Sequence, residues 1–335
     1  MRYLILGGGP AGIAAAKALR KAKSDAEIVI ATEETETPYL RPLLPDLILG
    51  TARDEMILDP QGRDLGEKGV RRLTGRRAVR LDIGNRIVGF EDGSEERYDV
   101  LLIATGGKPD IPPPLKKDLP AIRVFDSYGD ALRIRERAGR PGGVVVYGPG
   151  YLAIEACRAV RGTKKKVTWI KPDLPKYGYP IAGELEASIL DNVRNRGARI
   201  LDGVDIVDVR EKEADITVVL TSGGEEIPCS LVMVATERVP SVGFLAGSGV
   251  MVGTGVLVDD FLRTSAPDVY AAGDCAEFAE KPKKIGRINF GWRSAIKQGQ
   301  LAGENMAGGN RRFGSEQENY FWALFGFPLL ERSKS

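Results

Sequence analysis

GGVVVYGPGYLAIEAC, residues 142–157, sets the architecture because it repeats something the chain has already done. A run of valines leads into Gly148, Gly150 and Ala153, spaced as Gly-x-Gly-x-x-Ala, and an amphipathic helical pattern follows. YLILGGGPAGIAAAKAL, residues 3–19, has the same order: an apolar strand, then Gly7, Gly9 and Gly12, then a small-residue helix. In such a turn one glycine makes the tight bend, one lets backbone approach a pyrophosphate, and one lets helix pack on strand. The helix N-terminus then offers unpaired N–H groups and the positive end of its dipole to a phosphate.

The repeat extends outward from both turns. After the first, EIVIAT (27–32) reads as a second strand ending at Glu33, about 20 positions past the glycines, where a ribose-binding carboxylate belongs. After the second, KVTWIK (166–171) takes the same place but ends in Lys171. LLIATGGKP (101–109) matches LVMVATERVP (231–240), each with Ala-Thr and a proline five residues after the alanine. The proline-rich KPDIPPPLKKDLP (108–120) reads as a stiff bridge between the modules, and DVYAAGDC (268–275) as a further strand after the second closes.

Composition excludes several function classes. The 335 residues carry 48 Lys and Arg against 46 Asp and Glu, a net charge of +2 that gives no global field for nucleic acid or anionic membrane. No apolar run approaches the ~20 residues of a membrane span. Met1-Arg2 leads straight into a strand, which leaves no room for a signal peptide, so a cytoplasmic protein is expected. There is no histidine, which excludes a Ser-His-Asp or Cys-His unit and any His-ligated metal. Cys157, Cys229 and Cys275 are too few for a four-cysteine metal or iron–sulfur site and form no C-x-x-C pair. Redox work in this chain would fall to a bound organic cofactor.

GGGPAG near the start, ATG at 104–106, the second Gly-x-Gly and TSAPDVYAAGDCAEF together resemble the two-dinucleotide-binding-domain flavoproteins of the pyridine nucleotide-disulfide oxidoreductase superfamily. The resemblance covers roughly residues 1–310. TPYLRPLLPDLILG (37–50) is similar to the segment of the rubredoxin, ferredoxin and nitrite reductase branch; the disulfide-reductase branch carries reactive cysteines in this region, and this chain has none before Arg140.

That resemblance implies an α/β fold of two Rossmann-like domains, with the NAD(P) domain inserted in the FAD domain. The expected parts are 1–115 and 246–312 for FAD, 116–245 for NAD(P), and a short aromatic tail at 313–335. It implies an FAD-dependent NAD(P)H:acceptor oxidoreductase without a catalytic side chain, in which the protein holds donor and acceptor atoms ~3–3.5 Å apart. The implied FAD contacts are Gly7, Gly9, Pro10, Ala11, Gly12, Glu33, Arg41, Pro42, Ala104, Thr105, Gly106, Gly273, Asp274 and Trp292, with Gln298 in the same helix as Trp292. The implied NAD(P) contacts are Gly148, Gly150, Tyr151, Leu152, Glu155, Lys171 and Lys176, with Glu155 near the nicotinamide.

An acid at position 171 would suit the 2′-hydroxyl of NADH, whereas the lysine suits the 2′-phosphate of NADPH, and the reading leans to NADPH. Glu237 stands where the superfamily usually has the glycine of its second ATG. The electrons must leave to an iron–sulfur carrier, a redox partner subunit or oxygen. Arg71-Arg72, Arg76-Arg77 and Lys281 to Lys284 are candidates for steering an acidic carrier, and the aromatic stretch at 318–330 for docking a partner. The alternatives are a flavin-containing interaction subunit with an impaired nucleotide site and an NAD(P)H oxidase.

Overall fold

The computed structural model describes residues 1–314 apart from 24, 59, 162–164, 174–182, 214–215, 280–285 and 289–290. Along the chain come β1 (Arg2–Leu6), α1 (Pro10–Ala22), β2 (Glu27–Ala31), α2 (Leu44–Leu49), β3 (Val70–Leu73) and β4 (Val100–Ile103). Then follow β5 (Ile122–Val124), α3 (Tyr128–Ala138), β6 (Val144–Tyr147), α4 (Tyr151–Val160), β7 (Val167–Lys171), β8 (Ala198–Asp202), β9 (Leu231–Val234), β10 (Val269–Ala271) and α5 (Trp292–Met306).

The strands form two five-stranded parallel sheets, in the orders β10-β4-β1-β2-β3 and β5-β9-β6-β7-β8. The two orders are the same when β1 is laid on β6. Each edge position beside the Ala-Thr strand is filled from a different place in the chain: β10 comes long after its module, β5 just before its own. Each module also spans the gap between its third and fourth parallel strands with a three-stranded antiparallel sheet. The first uses Ala78–Asp82, Ile87–Phe90 and Glu95–Arg97; the second uses Ile206–Glu213, Ile216–Thr221 and Glu226–Cys229. Parallel strands covered on both faces read as continuous apolar runs. β4, β6 and β9 are accordingly buried at every position.

The chain divides into two compact units. The first comprises Met1–Tyr39, Leu58–Lys108 and the described residues from Val239 on; the second comprises Leu40–Ile57 and Pro109–Arg238. Residues 40–57 therefore leave the first unit and fold with the second, where α2 packs against α4 and α3. The proline-rich stretch belongs to the second unit as well: Leu115 is buried in the same core as Val145, Ile170 and Val232. α3 starts on a reciprocal cap, the Ser127 hydroxyl accepting from Asp130 N while the Asp130 carboxylate accepts from Ser127 N.

In the first unit α5 crosses α1 at backbone contact. A Cβ on Gly299 would lie 2.0 Å from the Ala11 carbonyl oxygen, and one on Gly303 2.5 Å from that of Ala15. Two glycines four apart on one helix face thus meet two alanines four apart on the other. Among the described residues no helix is long and apolar enough to cross a membrane.

Candidate nucleotide-binding turns

Both glycine turns are built by the same close approach. A Cβ on Gly7 would lie 2.1 Å from the Ala104 carbonyl oxygen, and one on Gly148 2.1 Å from that of Ala235. Gly7 has φ +114° and Gly148 φ +158°, so the bend after each central strand suits glycine on both counts. This explains the two Ala-Thr pairs: each alanine carbonyl is the surface on which its module's first glycine rests. The second glycines, Gly9 and Gly150, have nothing among the described residues within 4 Å of a would-be Cβ, so a phosphate can approach there. Each is the N-cap of its helix, α1 or α4, and no side chain caps either. First-turn N–H groups are thereby left for an anion.

The third position separates the modules. A Cβ on Gly12 would fall 2.0 Å from the Gly7 carbonyl oxygen, whereas Ala153 already carries its methyl, fully buried. The first helix sits tighter on its turn than the second.

Around the first turn stand the other residues singled out in that unit. Gly7 N donates to Ala31 O at 2.8 Å, placing the end of β2, and Glu33 just beyond it, beside the glycines. Glu33 Oε1 accepts from Lys108 Nζ at 3.2 Å. Thr105 Oγ1 donates to Ser241 O at 2.8 Å, and Gly106 is left-handed at φ +61° with open space where a Cβ would be. Gly273, at φ +83°, packs on α1, a Cβ there lying 3.1 Å from that of Ala11. Its N–H donates to the buried Gln298 Oε1 at 2.8 Å, so Gln298 holds the Gly273 turn. Asp274 Oδ1 accepts from Gly291 N at 3.1 Å, and half-buried Trp292 opens α5. Pro10 and Ala11 form the first turn of α1 with Gly12.

Arg41 and Pro42 belong to the second unit. There Arg41 Nη1 donates to Asp126 O at 2.7 Å and to Asp126 Oδ1 at 3.3 Å, and the Asp126 carboxylate also pairs with Arg238. Tyr151 and Leu152 begin α4. Glu155, one turn on, is buried and accepts from Arg158 Nε at 2.8 Å. Arg158 also forks onto Asp46, with Nη1 to Oδ1 at 2.8 Å and Nη2 to Oδ2 at 3.1 Å. Burial pushes the Glu155 carboxyl up, while the Arg158 hydrogen bond holds the Asp46 carboxyl below the usual carboxylate range. Arg158 therefore ties the 40–57 excursion to the helix that follows the second glycine turn.

Lys171, at the end of β7, donates to Asp202 Oδ1 at 2.8 Å across its register pair. A carboxylate thus stands against the cation that suits a 2′-phosphate. Glu237 is not among the residues with positive φ, so its backbone turn differs from that of Gly106, and its carbonyl accepts from Asp110 N at 2.8 Å. Next to it the Thr236 hydroxyl is buried with no hydrogen-bond partner among the described residues, a polar atom that a bound nucleotide can satisfy. Lys176, Lys281 to Lys284 and the stretch 318–330 lie outside the described residues.

Of the candidate steering charges, Arg71 pairs with Glu96 and Glu27, Arg76 with Asp92, and Arg77 with Glu91, while Arg72 donates to Glu36 O. Arg71, Arg76 and Arg77 are thus locally matched by acids. Cys157, Cys229 and Cys275 are free and buried, and burial raises all three thiols, which leaves them inert as nucleophiles. Sequence reasoning missed Arg158 and Asp46, for which the only signal was an arginine three residues after Glu155 on the same helix face. It also missed the Gly299/Gly303 pair, although the four-residue spacing was visible.

The profile of the pyridine nucleotide-disulphide oxidoreductase family matches residues 1–300. NADH-rubredoxin oxidoreductase of Clostridium acetobutylicum is 31% identical over 316 residues, covering 92% of this chain and 75% of the relative. The ferredoxin reductase subunit of 5,5'-dehydrodivanillate O-demethylase from Sphingobium is 33% identical over 280 residues, covering 82% and 67%. Among solved structures, the covalent putidaredoxin reductase–putidaredoxin complex superposes with a TM-score of 0.84 at 23% identity, over 92% of this chain and 75% of the other, a likeness of fold.

Proposed function

Because this chain belongs to the pyridine nucleotide-disulphide oxidoreductase family, we infer that it is an FAD-dependent NAD(P)H oxidoreductase that exchanges electrons with an external iron–sulfur carrier protein or redox partner subunit. The observation that carries the reading is the pair of matched glycine turns, each packed so closely on an alanine carbonyl that a Cβ would lie 2.1 Å from its oxygen, in a chain whose cysteines are all buried. With no dithiol to receive them, electrons have to go outside the chain.

The residues fit both groups. Gly7, Gly9 and the uncapped first turn of α1 would hold the FAD pyrophosphate, Glu33 its ribose, and Thr105, Gly106, Gly273 and Asp274 the parts beyond. Gly148, Gly150 and the uncapped start of α4 would hold the pyrophosphate of NAD(P)H, with Lys171 at the 2′ position and the Thr236 hydroxyl as a further donor. When bound, FAD supplies two-electron chemistry toward the nicotinamide and one-electron chemistry toward a carrier. The chain's own share is to bind and orient, which needs no side-chain acid or base. The Arg158 fork keeps Glu155 fixed in the second unit. The Lys171–Asp202 pair supports NADH alongside NADPH as donor, since Asp202 offsets the cation. The cytoplasm is the proposed compartment, supported by three free, buried thiols.

The test is electron delivery. Purified protein is reduced with NADH or NADPH in the absence of oxygen, then mixed with a rubredoxin or a [2Fe–2S] ferredoxin, and the carrier's own spectrum is followed. Carrier reduction that depends on the nucleotide supports the reading. Rapid oxygen consumption with no carrier reduction would make it an oxidase instead.

A further inference from the structure

The two glycine turns are held differently at their first carbonyl. In the first turn α1 closes on it, since a Cβ on Gly12 would fall 2.0 Å from the Gly7 carbonyl oxygen. In the second turn Ala153 stands in the place of Gly12, with its methyl fully buried. There the Gly148 carbonyl accepts from the Trp169 indole, Nε1 to O at 2.8 Å. Trp169 lies in β7 and is fully buried.

Strand register identifies the counterpart of Trp169 in the first unit. Leu6 pairs with Ala31 and Tyr147 with Ile170. The glycine after each donates its N–H to the carbonyl of that partner, Gly7 at 2.8 Å and Gly148 at 3.2 Å. One step back, Ile5 pairs with Ile30 and Val146 with Trp169. Ile30 is buried too, but its side chain has no donor. The second module therefore differs from the first at two positions that meet at one carbonyl: alanine for glycine on the helix, and tryptophan for isoleucine on the neighbouring strand.

A buried indole N–H needs a partner, and here the partner is the carbonyl of the Gly148–Pro149 peptide. Proline brings no N–H, so the next backbone donor along the turn is that of Gly150, the N-cap of α4. The indole fixes the peptide plane from which that donor and the uncapped first turn of α4 are aimed. Gly148 is thus held through its N–H by Ile170, through its Cα by the Ala235 carbonyl and through its own carbonyl by Trp169.

We propose that Trp169 is a positioning residue for the donor nucleotide: through Gly148 it holds the second turn in the shape that receives the pyrophosphate of NAD(P)H. The proposal rests on the reading that the second turn binds NAD(P)H. The pyrophosphate takes no part in the bond changes at the nicotinamide, so its contacts count equally before and during reaction. Trp169 accordingly acts on nucleotide affinity and not on the limiting rate.

The test compares flavin-loaded wild type with Trp169→Phe, which keeps an aromatic ring and removes the N–H. Each is mixed without oxygen with a series of NADH and, separately, NADPH concentrations, and flavin bleaching is timed. For a nucleotide that reduces wild type, the half-saturating concentration should rise about tenfold while the limiting rate stays within about twofold. A wild type bleached by neither nucleotide removes the reading of the second turn and this proposal with it. A bleached wild type beside a variant with the same half-saturating concentration, or with only a lower limiting rate, overturns the proposal and leaves the reading standing. A second readout is the indole N–H resonances of the 15N-labelled, flavin-loaded protein, one from each of three tryptophans. The resonance missing from Trp169→Phe belongs to Trp169; if that variant does not fold, Trp292→Phe and Trp322→Phe assign it by elimination. It should shift on saturation with NAD+ or NADP+, and a resonance that neither nucleotide moves overturns the proposal.

Discussion

Gly12→Ala puts the tightest contact in the first turn under load. The added methyl would lie 2.0 Å from the Gly7 carbonyl oxygen, where a carbon and an oxygen need roughly 3.3 Å. Both atoms are fixed by backbone, so α1 has to lift by about 1 Å or the Gly7 turn has to open. Overpacking of this kind costs about 1–3 kcal/mol, and the rigid partners place it at the upper end. Alanine in place of a helical glycine returns at most ~1 kcal/mol. The net, about 2 kcal/mol, falls on the loop that would cradle the FAD pyrophosphate. If binding has to restore the native turn, affinity drops about 30-fold. The assay is the flavin-to-protein absorbance ratio after purification, followed by titration of the apoprotein with FAD. Ala153→Gly is the control, because that position already accommodates a methyl, and its flavin content should match wild type. Wild-type flavin content and affinity in Gly12→Ala would mean that this turn does not hold the cofactor, and the reasoning would fall.

Three further perturbations test other parts of the account. Gly299→Ala drives a methyl to 2.0 Å from the Ala11 carbonyl oxygen and should lower the thermal midpoint by several degrees, whereas Gly66→Ala, in open space, should not lower it; equal effects would remove the α1–α5 argument. Asp202→Asn removes the carboxylate beside Lys171 and should raise the NADPH-to-NADH ratio of kcat/KM about fivefold, and an unchanged ratio would take this pair out of nucleotide choice. Asp46 has a folded pKa below its unfolded value, so its stabilisation is present above about pH 4 and is lost as pH falls through the folded value. Urea midpoints of wild type and Asp46→Asn should therefore differ at pH 7, with the gap narrowing as pH falls below about 4, and a gap that does not narrow would contradict the Arg158 fork.

The parts legible in the sequence were those whose signal is local. A strand, a glycine turn and a helix are contiguous, so both modules could be read from residues 3–19 and 142–157, and the Ala-Thr repeat located the strand beside the central one in each sheet, β4 and β9. The excursion of 40–57 into the second unit was not legible. It rests on Asp46 meeting Arg158, 112 residues away, and no short pattern encodes that pairing. The antiparallel sheets were hidden by their short, half-polar strands, such as Glu95–Arg97. Lys171 was read as a lone cation at a strand end. Its parallel register with β8, which brings Asp202 alongside, is a tertiary fact.

The most direct measurement is anaerobic mixing of the purified, flavin-loaded protein with NADH and, separately, NADPH, following the visible absorbance band of the flavin. The account predicts rapid bleaching by at least one nucleotide, with the second glycine turn required: Gly148→Val, which drives its side chain into the Ala235 carbonyl, should abolish bleaching and leave FAD bound. Flavin that is present yet bleached by neither nucleotide would contradict the claim that this chain joins two working dinucleotide sites.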